Sequence, residues 1–171
     1  LRALPLPGVV LLPADRLDLS IKIESDRMVN SLFDPEETES ERTVILSERQ
    51  GSENRPGYFL HEEMMGTAYH HHPYGHSIIG LESDLRRITR DELYGHYKHY
   101  YTPNNAVISA SGDFDAEEVF KRIEAAFGGV PSGELPSQIV AVEPPQRAER
   151  RVILRRAAPT AVVRMAYRSP S

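Results

Sequence analysis

The chain contains no cysteine, although it has 171 residues. This absence excludes disulfide bonds and zinc sites that are built from thiolates. It leaves the redox compartment open, because a chain without cysteine is compatible with both reducing and oxidising surroundings. A chain of this length buries about 70% of the surface that its unfolded form exposes, so an apolar core is sufficient to stabilise it.

The chain also lacks long apolar runs and a strong charge of one sign. Its longest apolar runs, over residues 9–12 and 139–142, have four residues each, whereas a helix that spans a bilayer needs about 20 residues. Acidic and basic side chains are interspersed and the net charge is −5, so neither a nucleic acid nor a membrane is an expected partner. We predict a soluble protein, with the cytoplasm somewhat favoured over the periplasm.

The first seven residues contain neither an initiator methionine nor the pattern of a signal peptide. We therefore expect the chain to begin within a longer protein. Its 40% apolar and 26% charged residues are typical of a globular protein. The length corresponds to one domain or to a part of one.

Local signals predict six helices and three strands. Two of the helices begin with side-chain caps, at Thr89 with Glu92 and at Asp115 with Glu118. These elements predict an α+β fold, a two-layer domain in which helices pack on one mostly antiparallel sheet. Helices are expected from Pro13, from Pro35, over 58–69, over 82–86, over 90–101 and after Asp115, and strands over 105–111, 152–154 and 161–165.

Two glutamates lie seven residues apart in the second predicted helix. Asp34 and Pro35 favour the start of that helix. At about 100° per residue, Glu41 and Glu48 share one face and are displaced by about 10 Å along the axis. Two carboxylates at the edge of a half-buried helix are usually ordinary surface charge. The motifs that follow this helix favour a different interpretation.

Those motifs closely resemble, in sequence and in order, the pitrilysin/insulinase family of zinc metallopeptidases, which includes mitochondrial processing peptidase. They are His72-Pro73-Tyr74-Gly75, Gly80, Leu85, Ile88-Thr89, Leu93, the run 100–105 and Gly112-Asp113-Phe114-Asp115. The resemblance covers residues 13–133 and implies the metallohydrolase fold of that family. We expect one incomplete peptidase domain, in which residues 1–12 are an extended lead-in, 134–147 a linker and 148–171 closing strands.

The resemblance also implies roles for the two glutamates. In that family a helix carries His-x-x-Glu-His, whose histidines bind Zn²⁺ and whose glutamate is the general base. A third ligand lies downstream in the pattern Glu-Arg-x-Val-x-x-x-Glu, which matches residues 41–48. By this match Glu48 is a zinc ligand. Glu41 is the acid that supports a ligating histidine without touching the metal itself.

The sequence itself contains no His-x-x-Glu-His. We expect the missing segment to lie before residue 1, and we expect this chain alone to be inactive and to bind no stoichiometric zinc. For the intact protein, the resemblance implies a zinc-dependent endopeptidase that cleaves peptides or unfolded segments with a metal-activated water. Its expected partners are a peptide substrate and a homologous peptidase domain, in the same chain or in a homo- or heterodimer. The alternative is a non-catalytic family member that serves as a structural or substrate-binding subunit.

Two groups of histidines remain outside this interpretation. The first consists of His70, His71, His72 and His76. It invites a metal site of its own, since imidazole binds Zn, Cu and Ni; we interpret it as part of a structural loop. The second consists of His96 and His99 and is expected at the surface of a helix.

Overall fold

The computed structural model describes residues 10–137, 142–157 and 159–167. Six α-helices occur in these residues: α1 (Leu17–Asn30), α2 (Pro35–Glu53), α3 (Pro56–Ala68), α4 (Glu82–Arg87), α5 (Arg90–Tyr100) and α6 (Ala116–Phe127). Short 3-10 helices cover Ala14–Arg16, Pro73–Gly75 and Pro103–Asn105.

The helix starts follow the local signals of the sequence. The Thr89 side chain accepts a hydrogen bond from the Glu92 amide, and the Glu92 carboxylate accepts one from the Thr89 amide, so that both ends of the capping box are formed. The Asp115 carboxylate accepts from the Glu118 amide at 2.9 Å. Each cap satisfies an amide that has no partner within its own helix. Both predicted caps are confirmed.

The predicted α+β fold is wrong for the part of the chain that the structure describes, because no β-strand occurs there. The apolar segments 105–111, 152–154 and 161–165 are not paired as strands, and Val107 is 95% and Val163 81% exposed. The physical reason is that a helix makes its hydrogen bonds within itself, whereas a strand needs a second segment. Apolar, β-branched residues therefore indicate a tendency to form strands but do not supply a pairing partner.

The described residues form two compact units. The α2 unit comprises residues 36–88, 142–157 and 159–167, and the α5 unit comprises residues 10–35 and 89–137. The sequence-based prediction of a single incomplete domain stays a prediction.

In the α5 unit, α1 packs against α6, and a cluster of aromatic rings surrounds Tyr97 on α5. Tyr97 is 3% exposed, and its ring centroid lies 5.2 Å from that of Phe33. The Tyr97 hydroxyl donates to the Arg27 carbonyl at 3.1 Å and accepts from the Ser31 amide at 3.3 Å. One side chain therefore joins α5 to the end of α1 through its hydroxyl and to Phe33, in the segment after α1, through its ring.

In the α2 unit, the segment that contains residues 142–157 contacts the end of α3. The Arg150 Nη1 atom donates to the Thr67 and Ala68 carbonyls at 2.9 and 3.3 Å. These carbonyls belong to the last turn of α3, where helical carbonyls lack intrahelical partners and attract a cation. The guanidinium of Arg156 lies 4.0 Å from the ring centroid of Phe59, also on α3.

Candidate functional site

The two glutamates singled out by their spacing lie in α2. This helix runs without a break from Pro35 to Glu53. Glu41 and Glu48 are both exposed. The predicted arrangement on one continuous helix, two turns apart, is therefore present, while their role at a metal stays a prediction.

The residue that follows Glu48 is the one buried residue among those described in the α2 unit. Arg49 is 7% exposed. Its Nη1 atom donates to the Gly80 carbonyl at 2.7 Å and to the Tyr58 hydroxyl at 3.2 Å, and lies 3.4 Å from Oε1 of Glu62. Burial opposes the charged form of Arg49, but the Glu62 carboxylate and the Tyr58 hydroxyl outweigh it, so the pKa lies above its ordinary value. The guanidinium thus stays charged and contacts both α3 and the segment before α4.

The residue that follows Glu41 is also an arginine. Arg42 is partly buried, and it forms an ion pair with Glu39 at 2.9 Å. The hydrogen bond between the two raises the pKa of Arg42 and lowers the pKa of Glu39. The sequence-based reasoning did not identify either arginine. The signal that would have found them is the tripeptide Ser-Glu-Arg, which occurs at 40–42 and again at 47–49 and so places an arginine directly after each glutamate.

The described residues alone do not complete a zinc site. They contain no group of three or more histidine, cysteine, aspartate or glutamate side chains that could hold a metal ion. A catalytic zinc takes three protein ligands and a water. The exposed Glu48 carboxylate is an oxygen donor of the kind that zinc binds.

The histidines at 70–72 form a loop that a carboxylate holds in place. The backbone amides of His70, His71 and His72 all donate to the Glu143 carboxylate, at distances between 2.7 and 3.0 Å. The ring of His72 accepts from the Tyr74 amide at 3.2 Å and so caps the 3-10 helix Pro73–Gly75. These contacts support the interpretation of this segment as a structural loop. Glu143 was not recognised in the sequence, because its partners lie about seventy residues away.

The second pair of histidines lies on α5. His99 is exposed, as expected, whereas His96 is partly buried and stacks on Tyr100 with ring centroids 4.3 Å apart. Burial lowers the pKa of His96, and the neighbouring His99 lowers it further. Both the burial and the neighbouring His99 therefore favour the neutral imidazole at His96.

The chain belongs to the M16 family of peptidases. The family model described as "Peptidase M16 inactive domain" matches residues 87–171. The resemblance to the pitrilysin/insulinase type of zinc metallopeptidase, inferred from the motifs, is confirmed.

Three individual proteins give the scale of this similarity. A probable mitochondrial-processing peptidase subunit beta of Arabidopsis thaliana is 32% identical over 73% of this chain and 24% of its own length. An uncharacterized zinc protease of Streptomyces coelicolor is 29% identical over 65% of this chain and 24% of its own length. The crystal structure of a protease from Helicobacter pylori superposes with a TM-score of 0.70 and 26% identity, and the match covers 78% of this chain and 33% of that chain.

The chain therefore spans about a quarter of the length of the curated relatives it matches. Glu41 and Glu48 lie before the residues that the family model matches. None of the helices in the described ranges is long and apolar enough to cross a membrane.

Proposed function

We propose that this chain supplies the carboxylate side of the active site of a zinc-dependent endopeptidase. Glu48 binds the zinc ion directly, and Glu41 accepts a hydrogen bond from an imidazole that binds the same ion. Because the sequence has no His-x-x-Glu-His, the two histidine ligands and the general base come from outside these 171 residues. The observation that carries the proposal is the placement of both glutamates on one uninterrupted, exposed edge of α2.

The spacing of the two glutamates supports different roles for them. A zinc–oxygen bond is about 2.0–2.2 Å long, and the two residues are displaced by about 10 Å along the helix. One ion is not readily bound by both, so one carboxylate binds the metal and the other orients a ligand. Zinc, when bound, lowers the pKa of a coordinated water and polarises the scissile carbonyl. Glu48 adds negative charge to the metal, and Glu41 fixes the ring orientation of a histidine.

The substrate class that fits this proposal is a peptide or an unfolded protein segment. Among the relatives, several are named zinc proteases, and the plant relative is named as a subunit of a processing peptidase. On the basis of these names we also propose that a homologous peptidase domain, in the same polypeptide or in a second one, completes the enzyme.

The test uses the complete polypeptide that the reading frame of this chain encodes, with Glu48→Gln, Glu41→Gln and the control Glu63→Gln, which changes an exposed carboxylate on α3. Glu48→Gln should lose most of the zinc, because it removes an anionic ligand. Glu41→Gln should retain more zinc yet lower kcat/KM by about 10–100-fold, as substitutions of residues that support a metal ligand do. The measurements are metal content and peptide cleavage. Unchanged zinc and activity in Glu48→Gln would rule out the ligand assignment.

A second test concerns this chain by itself. One exposed carboxylate and water cannot hold zinc against solvent at neutral pH. Dialysed, tag-free chain should therefore contain far less than one equivalent of zinc. Near-equimolar zinc that survives His70→Ala/His71→Ala but is lost in Glu48→Gln would contradict the need for outside ligands.

A second candidate function is a non-catalytic subunit that binds substrate or supports an active partner. It is favoured by the description of the matching family model as an inactive domain. The same complete polypeptide discriminates the two functions. If it binds zinc but cleaves no peptide, alone or with a homologous partner, the second function replaces the first.

A further inference from the structure

The α2 helix repeats the tripeptide Ser-Glu-Arg at 40–42 and 47–49. Two arginines therefore have the same two-turn spacing as the two glutamates, about 100° further round the helix. The glutamates are exposed, whereas Arg42 is partly buried and Arg49 is buried. Along the same two turns, α2 thus has one edge of carboxylates in solvent and one edge of guanidinium groups against the protein.

Arg49 makes its contacts in several directions at once. Beyond the Gly80 carbonyl, the Tyr58 hydroxyl and Glu62, its Nε atom lies 3.0 Å from Oε1 of Glu53. That last contact is an ion pair without hydrogen-bond geometry. The Gly80 carbonyl is presented by a backbone with φ of 85°, a left-handed conformation that favours glycine. A planar guanidinium with five donors suits such a set of acceptors, and an ammonium group does not.

Arg42 makes an equivalent contact at the C-terminal end of α4, whereas Gly80 precedes that helix. Its two terminal nitrogens donate to the Leu85 carbonyl and, at 2.6 Å, to the Ile88 carbonyl. Leu85 lies in the last turn of α4, whose carbonyls have no partners within the helix and favour a cation. The two arginines therefore bind the backbone of segment 80–88 at both of its ends.

We infer that Arg42 and Arg49 are positioning residues, which fix the rotation of α2 about its own axis and thereby the direction of Glu41 and Glu48. The inference rests on the proposed function for its consequence at the metal. A helix with its side chains has a radius of about 5–6 Å, so a rotation of about 20° moves a carboxylate oxygen by about 2 Å. Metal–ligand distances tolerate about 0.2 Å. Two guanidinium contacts, two turns apart, oppose that rotation more effectively than one.

The test again uses the complete polypeptide, with Arg49→Lys and Arg42→Lys as the variants. Arg87→Lys is the matched control, because the Arg87 side chain is 86% exposed and lies 4.0 Å from its nearest carboxylate, Asp84. Zinc affinity is measured by competition with a chelator, well below the unfolding temperature of each metal-free variant, and helix content is measured alongside.

We expect Arg49→Lys to retain helix content and to weaken zinc binding about 10-fold or more, a magnitude typical of residues that orient metal ligands. Arg42→Lys should have a smaller effect in the same direction, and Arg87→Lys none. The Arg49→Lys effect on zinc should disappear in a Glu48→Gln background, because it acts through Glu48. A purely structural role would instead lower the unfolding temperature without this coupling.

The outcomes separate this inference from the proposed function. If Glu48→Gln leaves zinc binding intact, the proposed function fails whatever the arginine variants do. If Glu48→Gln loses zinc while both lysine variants fold and bind zinc like the wild type, the positioning role alone is overturned. Should Arg49→Lys not fold, Arg42→Lys decides by the same comparison.

Discussion

The α2 unit and the α5 unit each bury one large side chain, and the two side chains differ in kind. In the α5 unit it is Tyr97, which packs its ring against other rings and bonds two backbone groups through its hydroxyl. In the α2 unit it is Arg49, whose guanidinium contacts the Gly80 carbonyl and the carboxylates of Glu53 and Glu62. Apolar packing depends on shape and volume, whereas the arginine contacts depend on the number and direction of donors.

This difference bears on where a functional site is placed. Packing around a ring stabilises a unit, but it tolerates small shifts of one helix over another. A guanidinium that is bonded at once to a backbone carbonyl, a hydroxyl and a carboxylate, as that of Arg49 is, makes directional contacts that favour one rotation of its helix. The α2 unit carries the candidate zinc ligand, Glu48. Its buried arginine, Arg49, is the next residue in the chain, so the directional contacts lie beside that ligand.

The largest effect on stability is expected for Tyr97→Ala. The substitution leaves a cavity among Phe33, Tyr94 and Tyr101 and should cost about 3–5 kcal/mol of the free energy of unfolding. The matched variant Tyr97→Phe preserves shape and loses only the hydroxyl contacts, so it should cost about 1 kcal/mol. Urea denaturation measures both. Equal costs for the two variants would show that the hydroxyl, and not the ring packing, dominates the α5 unit.

A smaller but still clear effect is expected for Arg49→Met. Breaking a buried ion pair costs about 3–5 kcal/mol, but Glu53 and Glu62 retain some contact with water and can hydrate once the arginine is gone. We therefore expect about 2 kcal/mol. Tyr97→Phe should keep most of the stability that Tyr97 contributes, whereas the similarly conservative Arg49→Lys should keep only a smaller part of the contribution of Arg49, because one ammonium cannot reach all the acceptors. Urea denaturation with Arg87→Met as the control checks this; full stability in Arg49→Lys would remove the contrast between the units.

The sequence predicted the parts of the fold that local chemistry determines. The caps at Thr89 and Asp115 were readable because each involves residues three apart. The strand predictions failed because pairing depends on a second segment, which a pattern such as that of residues 105–111 does not name. The fold class was therefore wrong in the described residues, although the family was right.

The candidate site was predictable to a similar degree. The spacing of Glu41 and Glu48 required only helical geometry and a matching motif. The burial of Arg49 was not predictable from composition, since arginine is rarely buried unless it is paired. Its partners at Tyr58 and Gly80 lie nine and thirty-one residues away, and only the folded chain brings them together.

The smallest expected effect is a response of the α5 unit to pH, which arises from His96. His96 in the α5 unit is partly buried against Tyr100, and burial first, then His99, lowers its pKa. A histidine with a lowered pKa in the folded state contributes stability above the unfolded pKa of about 6.5, and this contribution is lost as the pH falls through the folded value. The urea concentration at the midpoint of unfolding should therefore decline between pH 7.5 and 5.5. This decline should be smaller than the decrease in midpoint that Arg49→Met causes. His96→Gln should flatten this decline. An equal slope in the wild type and in His96→Gln would show that protonation of His96 is not linked to unfolding.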